Sequence, residues 1–159
     1  MYRRGRWMPT PSRAEQHSID EFKARVTAAF KAVHQQGFVT RQAFWCCRSC
    51  GASALNGILK ARPHIKGAIW YSRQSVDGMA DPKEPGVYVC HGGPVNAEGE
   101  ANLVAGRALV EAARAVGLVA EWDGTEADCV YLRPRNEAER NAEAEQAAEA
   151  DALVAGFVR

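Results

Sequence analysis

Apolar residues recur at helical spacing near the start of the chain. Over Ile19–Val33 they fall three or four positions apart with charged residues between them, which is typical of an amphipathic helix. Ser18 and Glu21 match the capping box that opens many helices, and Gly37 is suited to ending one. The pattern predicts a helix over Ile19–Gln36.

Segments rich in β-branched and aromatic residues predict four strands, at residues 67–72, 86–91, 118–122 and 129–132. Two further helices are predicted at residues 52–60 and 97–116, the second with Asn96 as its N-cap. The first two strands are expected to form an antiparallel hairpin. The helical connection from the second strand to the third permits parallel pairing. The fold class is therefore α+β, a mixed four-stranded sheet with helices packed mainly on one face.

The last part of the chain is rich in Ala and Glu, a composition that favours a helix. This predicted helix ends on the apolar residues Leu153, Val154, Phe157 and Val158. We expect that end to dock on the body of the protein or on a second copy, which would give a homo-oligomer. The domain organisation predicted in this way is a basic extended arm at 1–17, a single α+β domain at 18–134 and an acidic C-terminal helical tail at 135–159.

The overall composition is that of an ordinary globular domain. Hydrophobic residues make up 47% and charged residues 25% of the 159 residues, which excludes wholesale disorder. The net charge of +1 does not indicate nucleic acid or a membrane surface as partner. No apolar run reaches the roughly 20 residues that span a bilayer, and no secretory signal is evident. We therefore expect a cytoplasmic protein with no membrane partner.

The balanced charge hides a basic segment at the start of the chain. Arg3, Arg4, Arg6 and Trp7 fall in a stretch without acidic residues, and we expect them to contact a partner. A nucleic acid would be contacted through its phosphates, and a protein through acidic side chains. The alternative is that both charged ends are solvated appendages.

Five cysteines are present, and three of them fall within five positions. This odd, crowded set argues against a secreted disulfide framework. The spacing of Cys47 and Cys50 is typical of two thiolates that bind one zinc ion, which needs about four ligands. The predicted tetrad is Cys47, Cys50, Cys90 and His64, with Cys46 as a further candidate ligand. His91 is left out because neighbours on a strand face opposite sides.

The same cysteines allow two other interpretations, and all three stay open at this point. Cys47 and Cys50 precede a predicted helix, a position that lowers a thiol pKa and suits a thiol-dependent enzyme or redox sensor. Free cysteines are also often small buried apolar residues without chemistry. No H-E-x-x-H or G-x-S-x-G motif and no paired carboxylates at catalytic spacing are present.

Several of these segments together resemble a family of uncharacterised bacterial domains. The resemblance runs from about Phe22 to Leu132 and rests on a C-C-x-x-C-G block and a late W-D-G turn. It implies that Cys46, Cys47, Cys50 and Trp122 belong to the family pattern, whereas Cys90 and His91 lie outside it. It implies no activity. The segments that carry it are Gly37-Phe38-Val39, Phe44 to Gly51, Gly117-Leu118 and Glu121-Trp122-Asp123-Gly124.

The leading hypothesis is a non-enzymatic protein that binds another protein. Its cysteine cluster is structural and can hold zinc, and its charged ends contribute contacts. The first alternative is a thiol-dependent enzyme or redox sensor that uses Cys47 and Cys50. The second is a zinc-stabilised nucleic-acid-binding protein with the arginines of the arm on phosphates.

Overall fold

The computed structural model describes the backbone of residues 2–3, 6–7 and 10–157 and the side chains of residues 10–142 and 144–149. A mixed sheet and the helices around it make an α+β fold, as predicted. The helices are α1 (Arg13–Gln35), α2 (Arg48–Ala61), α3 (Val76–Met79), α4 (Glu100–Ala115) and α5 (Glu137–Phe157). The strands are β1 (Tyr2–Arg3), β2 (Arg6–Trp7), β3 (Val39–Arg41), β4 (Ala68–Trp70), β5 (Val87–Gly92), β6 (Leu118–Glu121) and β7 (Val130–Pro134).

Helix α1 begins earlier than its sequence pattern suggested. Its N-cap is Ser12, whose hydroxyl accepts from the backbone N–H of Glu15, while the Glu15 carboxylate accepts from the N–H of Ser12. The prediction of a start at Ile19 is therefore wrong. Glu21, expected in the capping box, instead lies one turn before Arg25 and pairs with it at 2.6 Å. The buried face agrees with the prediction and consists of Ile19, Phe22, Val26, Ala29, Phe30 and Val33.

The sheet has five strands rather than the four predicted, in the order β3-β4-β5-β7-β6. The additional strand is β3, which pairs with β4 in parallel. The predicted antiparallel pairing of β4 with β5 is present. The connection through α4 leads to β6, but β7 lies between β5 and β6 and is antiparallel to both.

Helices cover both faces of this sheet unequally. The main core joins α1, α3 and α4 to one face and includes Phe22, Phe30 and Leu109. Helix α2 packs on the opposite face in a smaller cluster that contains Leu55 and Trp70. Helix α2 covers only part of that face, and Tyr88 on β5 consequently remains 60% exposed.

The start of α4 also differs from the prediction. Its N-cap is Gly99 at φ +55° rather than Asn96. Asn96 has a φ of +63° and belongs to the preceding turn. Helix α4 is consequently shorter at its N-terminus than the apolar pattern indicated.

The two ends of the chain contain regular structure. Strands β1 and β2 pair in antiparallel register, and α1 already includes residues 13–17 of the predicted extended arm. Arg4 lies outside the described residues, as do the side chains of Arg3, Arg6 and Trp7. The tail forms α5 as expected, whereas the side chains of its apolar end lie outside the described part. Within the described residues, no helix is both long and apolar enough to cross a membrane.

Candidate metal centre

Three cysteines meet at the N-terminus of α2. Cys47 is the N-cap residue in an extended conformation, Cys46 precedes it, and Cys50 lies in the first helical turn. Their sulfur atoms all lie within 4.8 Å of one another. The Sγ atoms of Cys46 and Cys47 are 3.8 Å apart. This Cys46–Cys47–Cys50 group is the cysteine cluster of the molecule, and it can hold a metal ion.

The cluster lies on the surface. Cys46 and Cys50 are exposed and Cys47 is partly buried. The interpretation of these three residues as small buried apolar side chains therefore does not fit their position. Thiols that are exposed and this close together are available to a ligand from solvent.

The loop before the cluster has an unusual backbone. Ala43 and Trp45 have φ angles of +48° and +57°, which non-glycine residues rarely adopt. The loop is tied down because the N–H of Phe44 donates to the carbonyl of Tyr71 and the N–H of Arg73 donates to that of Trp45. This conformation leaves the Trp45 side chain 51% exposed, directly before the cluster in the chain.

The first turn of α2 rests closely on β4. A Cβ atom at Gly51 would come within 2.8 Å of the indole Nε1 of Trp70. Only a residue without a side chain allows this approach. Gly51 thus fixes the height of the helix above the sheet, and with it the position of the neighbouring Cys50.

The cysteines of the cluster differ in acidity. Backbone N–H groups at the start of α2, first that of Cys50, together with the thiols of Cys50 and Cys46, lower the pKa of Cys47. The nearby sulfurs of Cys46 and Cys47 raise the pKa of Cys50 to about 11. One thiolate forms readily in the cluster, and it opposes ionisation of the next.

The other two members of the predicted tetrad lie elsewhere. Cys90 is buried on β5, and its Sγ is 3.0 Å from that of Cys129. His64 follows the C-terminal end of α2, and the rise of that helix from Cys50 to its last residue, Ala61, is roughly 16 Å. The structure brings together Cys46, Cys47 and Cys50 and places Cys90 and His64 apart from them. As expected, His91 faces the side of the sheet opposite to Cys90, where it packs edge-on against Trp122.

Two features of this region were not identified from the sequence. The proximity of Cys129 to Cys90 depends on the pairing of β5 with β7, which no local pattern shows. The exposure of Trp45 depends on the left-handed backbone of its loop. A usable signal for the second feature was the aromatic pair Phe44-Trp45 in a segment too short for a helix.

Comparison with known proteins supports the resemblance noted from the cysteine block. A family model described as "Domain of unknown function (DUF6891)" matches residues 12–152. The match extends beyond the Phe22–Leu132 segment and includes most of α5, so the family domain covers most of the segment that forms the tail. No curated protein and no solved structure matches the chain.

Proposed function

We propose a function for this chain from the premise that it belongs to the DUF6891 family of domains of unknown function. The chain is a non-enzymatic binding protein that holds a zinc ion in its cysteine cluster. It presents that ion, together with Trp45, to a protein partner. The observation that carries the proposal is the convergence of three sulfur atoms at one exposed point of the surface.

The spacing of the sulfur atoms supports zinc as the ion. Zinc binds thiolates at about 2.3 Å in a tetrahedral arrangement, so two thiolates on one ion lie about 3.8 Å apart. The separation of the Cys46 and Cys47 sulfurs is 3.8 Å, and Cys50 lies within 4.8 Å of both. A small rotation of the Cys50 side chain therefore completes a three-sulfur site.

Three protein ligands leave one position of a tetrahedral ion open. Because two of the three cysteines are exposed, that position faces solvent. Water occupies such a position in isolated zinc sites with three protein ligands. In this proposal a side chain of the partner protein replaces the water.

Trp45 supports a protein as the partner. Large aromatic side chains that remain exposed are enriched at the centres of protein interfaces. Trp45 is 51% exposed and packs edge-on against Phe44 at 6.2 Å between ring centroids. Its position next to Cys46 in the chain places an apolar contact beside the metal ligands.

The metal site is tested by loading the full chain with zinc or cobalt under reducing conditions. We expect one ion per chain by elemental analysis, and cobalt spectra with sulfur-to-metal charge-transfer bands. Cys46→Ser, Cys47→Ser and Cys50→Ser should each weaken binding by at least about tenfold. Their folding is checked by circular dichroism.

Two matched controls are a predicted ligand that lies away from the cluster, His64, and a cysteine outside the cluster, Cys129. His64→Asn and Cys129→Ser should retain the full metal content, because neither residue lies in the cluster. A chain that binds no zinc in reducing buffer contradicts the proposal. Loss of zinc from His64→Asn would instead favour the tetrad that contains His64.

The partner is tested by comparing capture by the zinc-loaded chain, the chelator-treated chain and the Trp45→Ala variant. A protein that binds directly, and whose affinity falls in both altered samples, supports the proposal. Tyr88→Ala serves as control, because Tyr88 is also a largely exposed aromatic residue, at 60% against 51% for Trp45, but lies on β5. If the affinity for the captured protein is unchanged after zinc removal and in Trp45→Ala, the proposal that the chain presents the ion and Trp45 to a partner is contradicted.

A second candidate function rests on the acidity of Cys47 and Cys50. A thiolate at the N-cap of a helix is a nucleophile, and a neighbouring thiol with a high pKa can resolve the mixed disulfide it forms. The lowered pKa of Cys47 and the raised pKa of Cys50 fit these two roles. The chain would then be a thiol–disulfide exchange enzyme or a redox sensor.

Alkylation of the native, metal-free protein separates the two functions. An exchange enzyme requires Cys47 to react much faster than Cys50, and Cys50→Ser to trap a mixed disulfide on Cys47. Equally slow alkylation of both thiols would contradict the redox function and leave zinc binding as the use of the cluster.

A further inference from the structure

We propose that Cys129 and Cys90 form a second thiol site, separate from the cluster, which reacts with low-molecular-weight disulfides and closes to a cross-strand disulfide. Cys129 is the thiol that attacks the small disulfide. Cys90 is the thiol that resolves the product. The proposal does not depend on metal binding at the cluster.

The strand register places these two residues opposite each other. Val89 on β5 pairs with Val130 on β7 in antiparallel register, so Cys90 and Cys129 are the next pair along the ladder. Directly opposite residues in such a ladder have Cβ atoms about 4.5–5.5 Å apart. The two Sγ atoms are in contact at 3.0 Å, so no strand has to move for a bond to form between them.

The two thiols differ in their access to solvent. Cys90 is only 5% exposed and packs among the residues of the smaller core. Cys129 is partly buried and lines an open cavity of about 450 Å³ on the sheet face that carries α2. A disulfide from solvent can therefore reach Cys129 through the cavity and cannot reach Cys90 directly.

The cavity has the size and chemistry for a small polar disulfide. Its volume falls within the usual range for a small-molecule site. Arg48 supplies a positive charge, and its guanidinium is held in place because Nη2 donates to the carbonyl of Ala127 at 3.0 Å. The other lining residues are aromatic or acidic: Tyr88, Trp122, Tyr131, Glu121, Asp123 and Asp128. Arg48 suits a carboxylate of the incoming molecule, and the acidic groups suit its ammonium.

The pKa shifts of the two thiols agree with their difference in solvent access, and also indicate Cys129 as the attacking thiol and Cys90 as the resolving thiol. The hydrogen-bonding contact with the Cys90 thiol lowers the pKa of Cys129 to about 7, and the charge of Arg48 also lowers it. Burial and Asp128 oppose this effect. The same contact and burial raise the pKa of Cys90. Cys129 thus carries the thiolate near neutral pH.

The reaction consumes one disulfide and two thiols. The Cys129 thiolate attacks one sulfur of the small disulfide, the disulfide bond breaks, and one small thiolate leaves. The Cys90 thiol then loses its proton to that thiolate and attacks the Cys129 sulfur. The second small thiolate leaves and takes a proton from solvent. The products are the Cys90–Cys129 disulfide and two small thiols, and the oxidant is the small disulfide.

The test uses the full chain and glutathione disulfide as the probe, with peptide mapping by mass spectrometry. Trypsin places Cys90 on the peptide 84–107 and Cys129 on the peptide 115–135, and it places the cluster cysteines on two further peptides. We expect the first two peptides to become joined by a disulfide. Zinc added beforehand to occupy the cluster should not slow this reaction.

Two variants resolve the steps. Cys90→Ala should stop at a glutathione adduct on Cys129, formed roughly ten times faster than any adduct on Cys90 in the Cys129→Ser variant. Absence of the Cys90–Cys129 cross-link in the unaltered chain would overturn the proposal, whatever the variants do. A cross-link between Cys129 and a cluster cysteine would overturn it as well. Neither result would contradict zinc binding at the cluster, which is measured separately by the zinc content of the chain.

Discussion

The Arg133 guanidinium on β7 donates two parallel hydrogen bonds, of 2.9 and 2.8 Å, to the Glu139 carboxylate in the first turn of α5. The Glu139 carboxylate also accepts from the N–H of Asn136, whose side chain accepts from the N–H of Glu139 in return. These contacts lower the pKa of Glu139 to about 2. Because the pKa is lowered in the folded state, the contact stabilises the junction fully above pH 4.5, and this stabilisation is lost as the pH falls towards 2.

Replacement of Glu139 should loosen the start of α5. In Glu139→Ala the helix loses the side-chain bond to the N–H of Asn136 and the link to Arg133 on β7, so we expect faster amide exchange over residues 137–142 at neutral pH. The sheet should keep its protection, because α5 begins after its last strand. Glu137→Ala is the matched control, since Glu137 is exposed in the same turn. Equal exchange in the two variants would contradict this role of Glu139.

The buried imidazole of His91 should make stability depend on pH. Burial lowers the pKa of His91, so the unfolded chain takes up a proton below pH 6.5 more readily than the folded chain does. Stability should therefore fall as the pH is lowered from about 7 to 5, by about 1.4 kcal/mol for each unit by which the pKa is lowered. Urea unfolding at several pH values measures this slope.

His91→Phe should flatten that slope, because phenylalanine does not bind a proton. Its ring can still pack against Trp122, so the fold should be kept. His64→Asn is the control and should keep the slope of the unaltered chain, since His64 lies in an exposed loop. The same slope in His91→Phe and the unaltered chain would assign the pH dependence to other groups.

Two helical glycines should respond to alanine in opposite directions. A Cβ at Gly106 on α4 would come within 2.7 Å of the Trp122 ring and 3.1 Å of the His91 Nε2. We expect Gly106→Ala to lower the free energy of unfolding by about 1–3 kcal/mol. A Cβ at Gly57 on α2 meets nothing within 4 Å, so Gly57→Ala should raise it by up to about 1 kcal/mol. Thermal or urea denaturation measures both.

Zinc affinity should rise steeply with pH. Binding requires thiolates, and the neighbouring sulfurs raise the pKa of Cys50 to about 11, so the ion must displace protons from the cluster. We expect more than one proton released per zinc by titration in weak buffer, and weaker binding at about pH 6 than at about pH 8. Affinity that is independent of pH would indicate ligands other than these thiols.

The sequence predicted best those features that local spacing determines. The six apolar positions of α1 lie on one face of a helix whatever its partner, and all six are buried. Cys47 and Cys50 are brought together by a single helical turn, which their spacing already implied. The start of α1 was missed because Ser12-x-x-Glu15 and Ser18-x-x-Glu21 both match a capping box. No residue between the two motifs interrupts a helix, so α1 begins at the first motif.

Features that depend on distant pairing were not predictable in this way. Strand β3 has three residues and owes its existence to parallel pairing with β4 across the whole of α2. The contact of Cys90 with Cys129 requires β7 to lie next to β5. Sequence alone offered Cys90 as a zinc ligand because its neighbours in space were unknown.

The insertion of β7 between β5 and β6 has a consequence during synthesis of the protein. When the ribosome has released α4 and β6, the facing edges of β5 and β6 still lack the strand that joins them. The backbone N–H and C=O groups along those two edges therefore stay unpaired until residues 130–134 emerge. Strand β6 can join the sheet only through β7, so a polypeptide cut short before β7 leaves the edges of β5 and β6 open to pairing with other chains.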